Sequence, residues 1–213
     1  MHYSTFNLLA LLPFATAHFT LNWPTARGFD DTQAGSFPCG GFDEVKSPRT
    51  EFPLGGGPLQ LNLEHTSTQV AVYLSLGSDP GNNYNIVLRP QFKEQGPGDF
   101  CLGEVGLPSS LNITSGTNGT IQVVTNGHAG GGLYQCADVT FTNITLSQSD
   151  NHCANNTNVK VTQENMPGNP NGTSSGTGTS SETPGPNPSS AAAHATAAGW
   201  LLGAVGAAGL ALL

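Results

Sequence analysis

Charge is what this chain has least of. Only 9% of its 213 residues are Asp, Glu, Lys or Arg, against about 25% in ordinary globular domains. Six Lys and Arg face 14 Asp and Glu, for a net charge of -8, and the cations form no cluster. That argues against nucleic-acid binding, because the counterion release that drives such affinity has nothing to work with. Strong helix formers are scarce, while 28 Gly and 15 Pro punctuate the backbone, so a helical protein is disfavoured too. Aromatic residues make up 8% and show little sign of a sugar-stacking surface. Trp23 and Trp200 are the only tryptophans; Trp23, beside Pro24, reads as core or site-wall packing. No Ser-His-Asp triad, phosphate loop or paired-carboxylate glycosidase pattern stands out.

The ends of the chain read as processing signals. Phe6 to Ala17 form a short apolar run ending in Ala15-Thr16-Ala17, the small-x-small pattern of a secretory signal peptide, although Lys and Arg are missing before it. Residues 1–17 are therefore expected to be removed, leaving His18 first. Gly199 to Leu213 are apolar and uncharged, behind small residues and a Pro/Ser/Thr/Gly tract. This arrangement resembles a GPI-attachment signal over 191–213, with Ser189 or Ser190 as the attachment residue. A C-terminal transmembrane anchor is the rival reading, disfavoured because no Lys or Arg follows the run. Residues 166–190 hold little to bury, and their composition predicts an unstructured stalk. The folded domain is then 18–165, about 150 residues, enough for one core.

All four cysteines, Cys39, Cys101, Cys136 and Cys153, fall inside that domain. An even count in a secreted chain implies two disulfides, with three possible connectivities. A four-cysteine zinc site is the weaker alternative, since no C-x-x-C pair is present. Sequons at Asn112, Asn118, Asn143, Asn155 and Asn171 agree with passage through the secretory pathway and predict surface positions.

Alternation of period two dominates. Leu59, Leu61, Leu63 and His65 alternate with Gln60, Asn62 and Glu64, and Val70, Val72, Leu74 and Leu76 follow in the same way. Shorter strands are expected at Asn85 to Arg89, Thr120 to Val124 and Tyr134 to Thr142. Turn clusters such as Gly77-Ser78-Asp79-Pro80-Gly81 separate them. The pattern predicts an all-β, antiparallel sandwich, immunoglobulin-like or fibronectin-like.

A histidine made N-terminal by cleavage offers a metal two nitrogens, its amine and its ring Nδ1, closing a six-membered chelate. A metal that competes well for nitrogen can displace both protons at neutral pH. A second imidazole would complete a T-shaped three-nitrogen set suited to Cu(II). The folded part supplies His65, His128 and His152 as candidates. His65 is favoured, because alternation turns it inward at a strand end; His128 sits in a Gly-rich stretch and His152 precedes a cysteine.

Several motifs together resemble one family. His18-Phe19 directly after the signal, Trp23-Pro24-Thr25-Ala26-Arg27-Gly28, Pro38-Cys39-Gly40-Gly41, Glu64-His65 and Tyr134-Gln135-Cys136-Ala137-Asp138-Val139 are similar to the X325 family. Those are fungal copper proteins related to lytic polysaccharide monooxygenases, and they include cell-surface copper-acquisition factors. The resemblance implies an immunoglobulin-like sandwich holding one Cu(II) in a histidine brace. His18 would bind through amine and ring, His65 through its ring and Asp138 through its carboxylate. Alternation agrees in part, since Ala137, Val139 and Phe141 share one face and leave Asp138 on the other. It further implies a monomeric, non-enzymatic copper carrier, GPI-anchored at the membrane or wall, delivering to an uptake transporter. A copper-dependent monooxygenase acting on wall glycans is the alternative, and a structural wall protein with an incidental His18 is a third reading.

Overall fold

The computed structural model describes residues 18–127, 130–147 and 152–170. The expected signal segment, the 191–213 tail, Asn171, Ser189, Ser190, His128 and most of the stalk lie outside them. Nine strands follow in order: β1 (Phe19–Trp23), β2 (Thr50–Pro53), β3 (Gly57–Leu63), β4 (Ser67–Leu76), β5 (Ile86–Gln95), β6 (Gly98–Val105), β7 (Asn118–Asn126), β8 (Gly132–Thr142) and β9 (Lys160–Gln163). Among the described residues the only helical element is a 3-10 turn, Ser109–Leu111.

The strands form a β-sandwich. One sheet has the order β1-β3-β6 and the other β2-β8-β7-β4-β5-β9. One pairing departs from the antiparallel expectation: β2 runs parallel to β8, with Phe52 opposite Phe141. Leu59, Leu61 and Leu63 from β3 and Phe19 and Leu21 from β1 meet Val70, Val72, Leu74, Ile121, Val123 and Val139 across the interior, all at most 3% exposed. Period-two alternation therefore does what it should, placing one apolar row per strand in the core. Strand β5 runs past Arg89, where Pro90 would end it, because the β4 pairing shifts register between Val72–Arg89 and Val70–Phe92 and so absorbs the missing donor.

A long segment, 24–49, carries no strand and forms a third layer over the outer face of β7 and β8. Both strands are consequently buried on both faces. Where β2 stops, this segment takes over the edge of β8: Tyr134 N donates to Ala34 O (2.9 Å), Arg27 N donates to Cys136 O (2.8 Å), and Ala26 bridges Ala137. Cys39–Cys136 staples it in place, while Cys101–Cys153 ties β6 to the segment before β9. These two bridges settle the three connectivities left open by the sequence. Gly40 completes the fit; it has φ +65 and a side chain there would meet Tyr134 O at 2.5 Å.

One core position breaks the apolar rule. Glu94 lies two residues beyond Phe92, opposite Thr68, and is fully buried with neither carboxylate oxygen hydrogen-bonded. Burial pushes its carboxyl up from 4.5 to about 7. A raised acid pKa means that the folded state holds the proton more tightly than the unfolded chain. Its favourable contribution is thus complete below about 4.5, declines as pH rises to about 7, and is gone above that. Glu94→Gln, neutral at all pH, is expected to raise the melting temperature above pH 7, by at most about 3 kcal/mol in stability terms, and to match the parent below pH 4.5; melting curves across pH 4 to 9 check this.

Candidate functional site

The start of β1 lies beside the end of β3. Phe19 pairs with Leu63, and Glu64 N donates to His18 O (3.1 Å). His18 is thereby held against Glu64 and one residue from His65. It is 9% exposed. Its Nδ1, the nitrogen a terminal chelate would use, faces two carboxylates: Asp31 Oδ1 at 3.7 Å and Glu64 Oε2 at 3.9 Å. Both acids are about half exposed. Phe29 sets its ring edge-on to the imidazole, with centroids 5.7 Å apart. Gln135 on β8 braces the strand from the far side, its Oε1 accepting from Leu21 N (2.9 Å) and its Nε2 donating to Phe19 O.

His65 falls in the turn after β3 rather than on the strand, since β3 ends at Leu63. It is half-buried, with Nε2 turned away from solvent. His152 is exposed and stacks on Trp23 (4.8 Å, interplanar angle 8°), and Trp23 in turn stacks on Phe52. Trp23 is therefore a core residue, 8% exposed, and His152 packs at its rim.

The structure does not bring Asp138 to His18. Asp138 sits on the outer face of β8, 3% exposed, under the 24–49 layer. Arg27 grips it with two bonds, Nε to Oδ2 at 2.9 Å and Nη2 to Oδ1 at 2.8 Å. Thr120 Oγ1 donates to Oδ1 (2.7 Å) and the Lys46 amide to Oδ2 (2.7 Å), with Arg49 Nη1 at 3.6 Å. Burial alone would push this carboxyl up, but the bonds from Arg27, Thr120 and Lys46 N outweigh it and hold Asp138 below the usual carboxylate range. Arg27 also donates to Asp43 O (2.5 Å) and Phe42 O (3.3 Å), so one ion pair fixes both ends of the segment that carries Phe29 and Asp31.

Alternation identified Asp138 as out of place in an apolar strand; it could not say whether a metal or a cation compensates it. Arg27 was the available signal, one of only six cations and embedded among small residues. Asp31 and Phe29 carry no sequence signal of their own and reach His18 through the path of the loop. Among the described residues no three His, Cys, Asp or Glu side chains are set to hold a metal ion.

The fold and the site together are those of a disulfide-bonded β-sandwich with a buried histidine at the start of its first strand, flanked by two carboxylates, with a second histidine one residue beyond Glu64. Residues 16–158 match the Copper acquisition factor BIM1-like domain, and the chain belongs to that family. It is 42% identical over 166 residues to an uncharacterised protein of Aspergillus fumigatus, covering 76% of this chain and 68% of that one. It is 36% identical over 135 residues to Copper acquisition factor BIM1 of Cryptococcus neoformans, covering 59% and 60%. It is 32% identical over 164 residues to Lytic polysaccharide monooxygenase-like protein X325 of Hypocrea jecorina, covering 66% and 70%. The aligned part thus spans three-fifths of that BIM1 relative's length.

Removing the Asp138 carboxylate leaves Arg27, whose side chain is 2% exposed, buried and uncompensated. Asp138→Ala is expected to cost about 3–5 kcal/mol, measured by chemical denaturation, whereas Asp31→Ala, at an exposed site, should stay within about 0.5 kcal/mol of the parent.

Proposed function

We propose that this protein captures one Cu(II) ion extracellularly and hands it on, rather than using copper to oxidise a glycan. The observation that carries the reading is His18 Nδ1 placed 3.7 and 3.9 Å from Asp31 and Glu64, next to half-buried His65. Cleavage after Ala17 would convert the His18 nitrogen from an amide into an amine and complete the chelating pair. His65 then supplies the third nitrogen of a histidine brace. In this reading the carboxylate that approaches the metal comes from Asp31 or Glu64, and Asp138 serves through Arg27 by holding the loop in place.

The copper-acquisition relatives support the copper reading, and the site's charge supports the carrier reading. Carboxylates beside the imidazole favour Cu(II) over Cu(I) and occupy space that an oxidant would need. Reduction to Cu(I) or acidification would release the ion, the latter because protons compete for the amine and imidazoles. A GPI lipid on Ser189 or Ser190 would keep the loaded protein at the membrane or wall, near an uptake transporter. The names of the monooxygenase-like relatives favour the second reading, a copper-dependent polysaccharide monooxygenase.

Copper titration followed by electron paramagnetic resonance tests the proposal. Adding one glycine before His18 should weaken Cu(II) binding by at least the roughly 10–100-fold typical of disturbed metal sites, and His65→Ala should remove one nitrogen from the hyperfine pattern. Unchanged affinity with the blocked terminus would overturn the brace. Incubation with reductant, peroxide and wall glycan separates the two functions: no oxidised oligosaccharide is expected, and products that vanish in His65→Ala would establish the enzyme instead.

A further inference from the structure

A groove of about 480 Å³ opens at the end of the sandwich away from His18, within the range of about 300–1,000 Å³ common to ligand sites. It begins at the first residues of β3, whereas His18 neighbours the last. At about 3.3 Å per residue the two sites are roughly 20 Å apart. Leu54, Ile144 and Leu146 give the groove apolar walls, and Glu104, Thr142 and Asn143 give it polar ones. Leu54 and Leu146 are rim residues of the main core, left half-buried where the groove opens. Thr142 Oγ1 is buried without a hydrogen-bond partner. A side chain at Gly55 or Gly103 would meet nothing within 4 Å, so the space is open on both sides.

One lining residue, Asn143, is itself the acceptor of an Asn-Ile-Thr sequon. Asn143 and Thr145 are both exposed just past the end of β8. The contrast with Asn118 is sharp: its amide is built into the sheet, accepting from Thr140 Oγ1 (2.8 Å) and donating to Ser78 Oγ (3.3 Å). Its sequon hydroxyl, Thr120, is spent on Asp138. Asn112 and Asn155 are exposed but do not line the groove.

The geometry points to the groove as the seat of an N-linked glycan attached to Asn143, whose first N-acetylglucosamine residues fold back over Leu54, Ile144 and Leu146. An acetamido-sugar matches the lining: its methyl and ring C–H faces suit the apolar walls, and its amide and hydroxyls suit the Glu104 carboxylate on the polar one. The covalent tether places this ligand at the groove at high effective concentration, which is why the attached sugar is favoured over a free wall glycan of the same chemistry. This inference rests on the secretory part of the proposed function and is independent of copper.

The full chain secreted from a eukaryotic host supplies the test. Glycopeptide mass spectrometry should find Asn143 occupied. Trimming to a single N-acetylglucosamine should preserve most of the melting temperature, and Asn143→Gln should lower it by about 2–4 °C. Gly55→Leu, which fills the groove at an unstrained position, should erase that difference and speed endoglycosidase release of the Asn143 glycan. Occupancy of Asn112 or Asn155 with Asn143 bare would overturn the inference while leaving secretion intact; a chain bearing no glycan at all would overturn the secretory reading with it. An occupied Asn143 whose removal changes neither melting nor release rate places the glycan in solvent and also overturns the seat. Protection of unglycosylated Asn143→Gln by added chitobiose, with no effect of the native glycan, would assign the groove to free sugar instead.

Discussion

A buried guanidinium must have a buried anion, and in this protein that need organises the whole segment 24–49. Arg27 and Asp138 are each almost wholly excluded from water, and each would be costly alone. Together with Thr120 and the Lys46 amide they weld a segment without secondary structure to β8, the second strand of the larger sheet. The disulfide Cys39–Cys136 closes the same segment two residues from Asp138 on that strand. Covalent and ionic staples therefore act on one stretch of β8, and the loop between them has one place to lie. That is how Phe29 and Asp31, far from any strand, come to rest against His18.

The consequence for the site is a division of labour between layers. Backbone pairing of β1 with β3 brings His18 to Glu64 and the neighbourhood of His65, and Gln135 fixes β1 from the opposite sheet. The loop then adds the second carboxylate and an aromatic wall. An ion pair on one face of β8 and the histidine on the other side of the sandwich are thus linked through one loop. Asp138 acts on the surroundings of His18 at a distance, through the loop that Arg27 holds. The site sits at a strand end, with its side chains drawn from two paired strand ends and a stapled loop.

Much of the sandwich was legible from alternation, because a strand with one buried face writes its period into the sequence: the rows Leu59-Leu61-Leu63 and Val70-Val72-Leu74 are core residues as read. Strands β1, β2, β6 and β9 were not legible. Phe19–Trp23 does alternate but follows directly on the apolar signal-like run, which masks its start; Thr50–Pro53 is too short to show a period, and Gly98–Val105 carries glycine and acid where a strand would carry β-branched residues. At the site, His18 and His65 were recognisable by chemistry and end up at neighbouring strand ends, one just before β1 and the other in the turn after β3. Asp138 was read as a metal ligand; the structure pairs it instead with Arg27, a tertiary fact that no local pattern encodes. Asp31 was invisible for the same reason.

The most direct measurement is the Cu(II) paramagnetic resonance spectrum of Asp138→Asn, a substitution that keeps the shape of the side chain and removes its charge, recorded on protein whose chain begins at His18 and alongside its unfolding curve. The account predicts lost stability and weaker or heterogeneous copper binding, while the principal copper species keeps the parent's nitrogen and oxygen ligand signature. A changed ligand signature in a protein that remains as stable as the parent would contradict it, placing Asp138 on the metal and not in the scaffold.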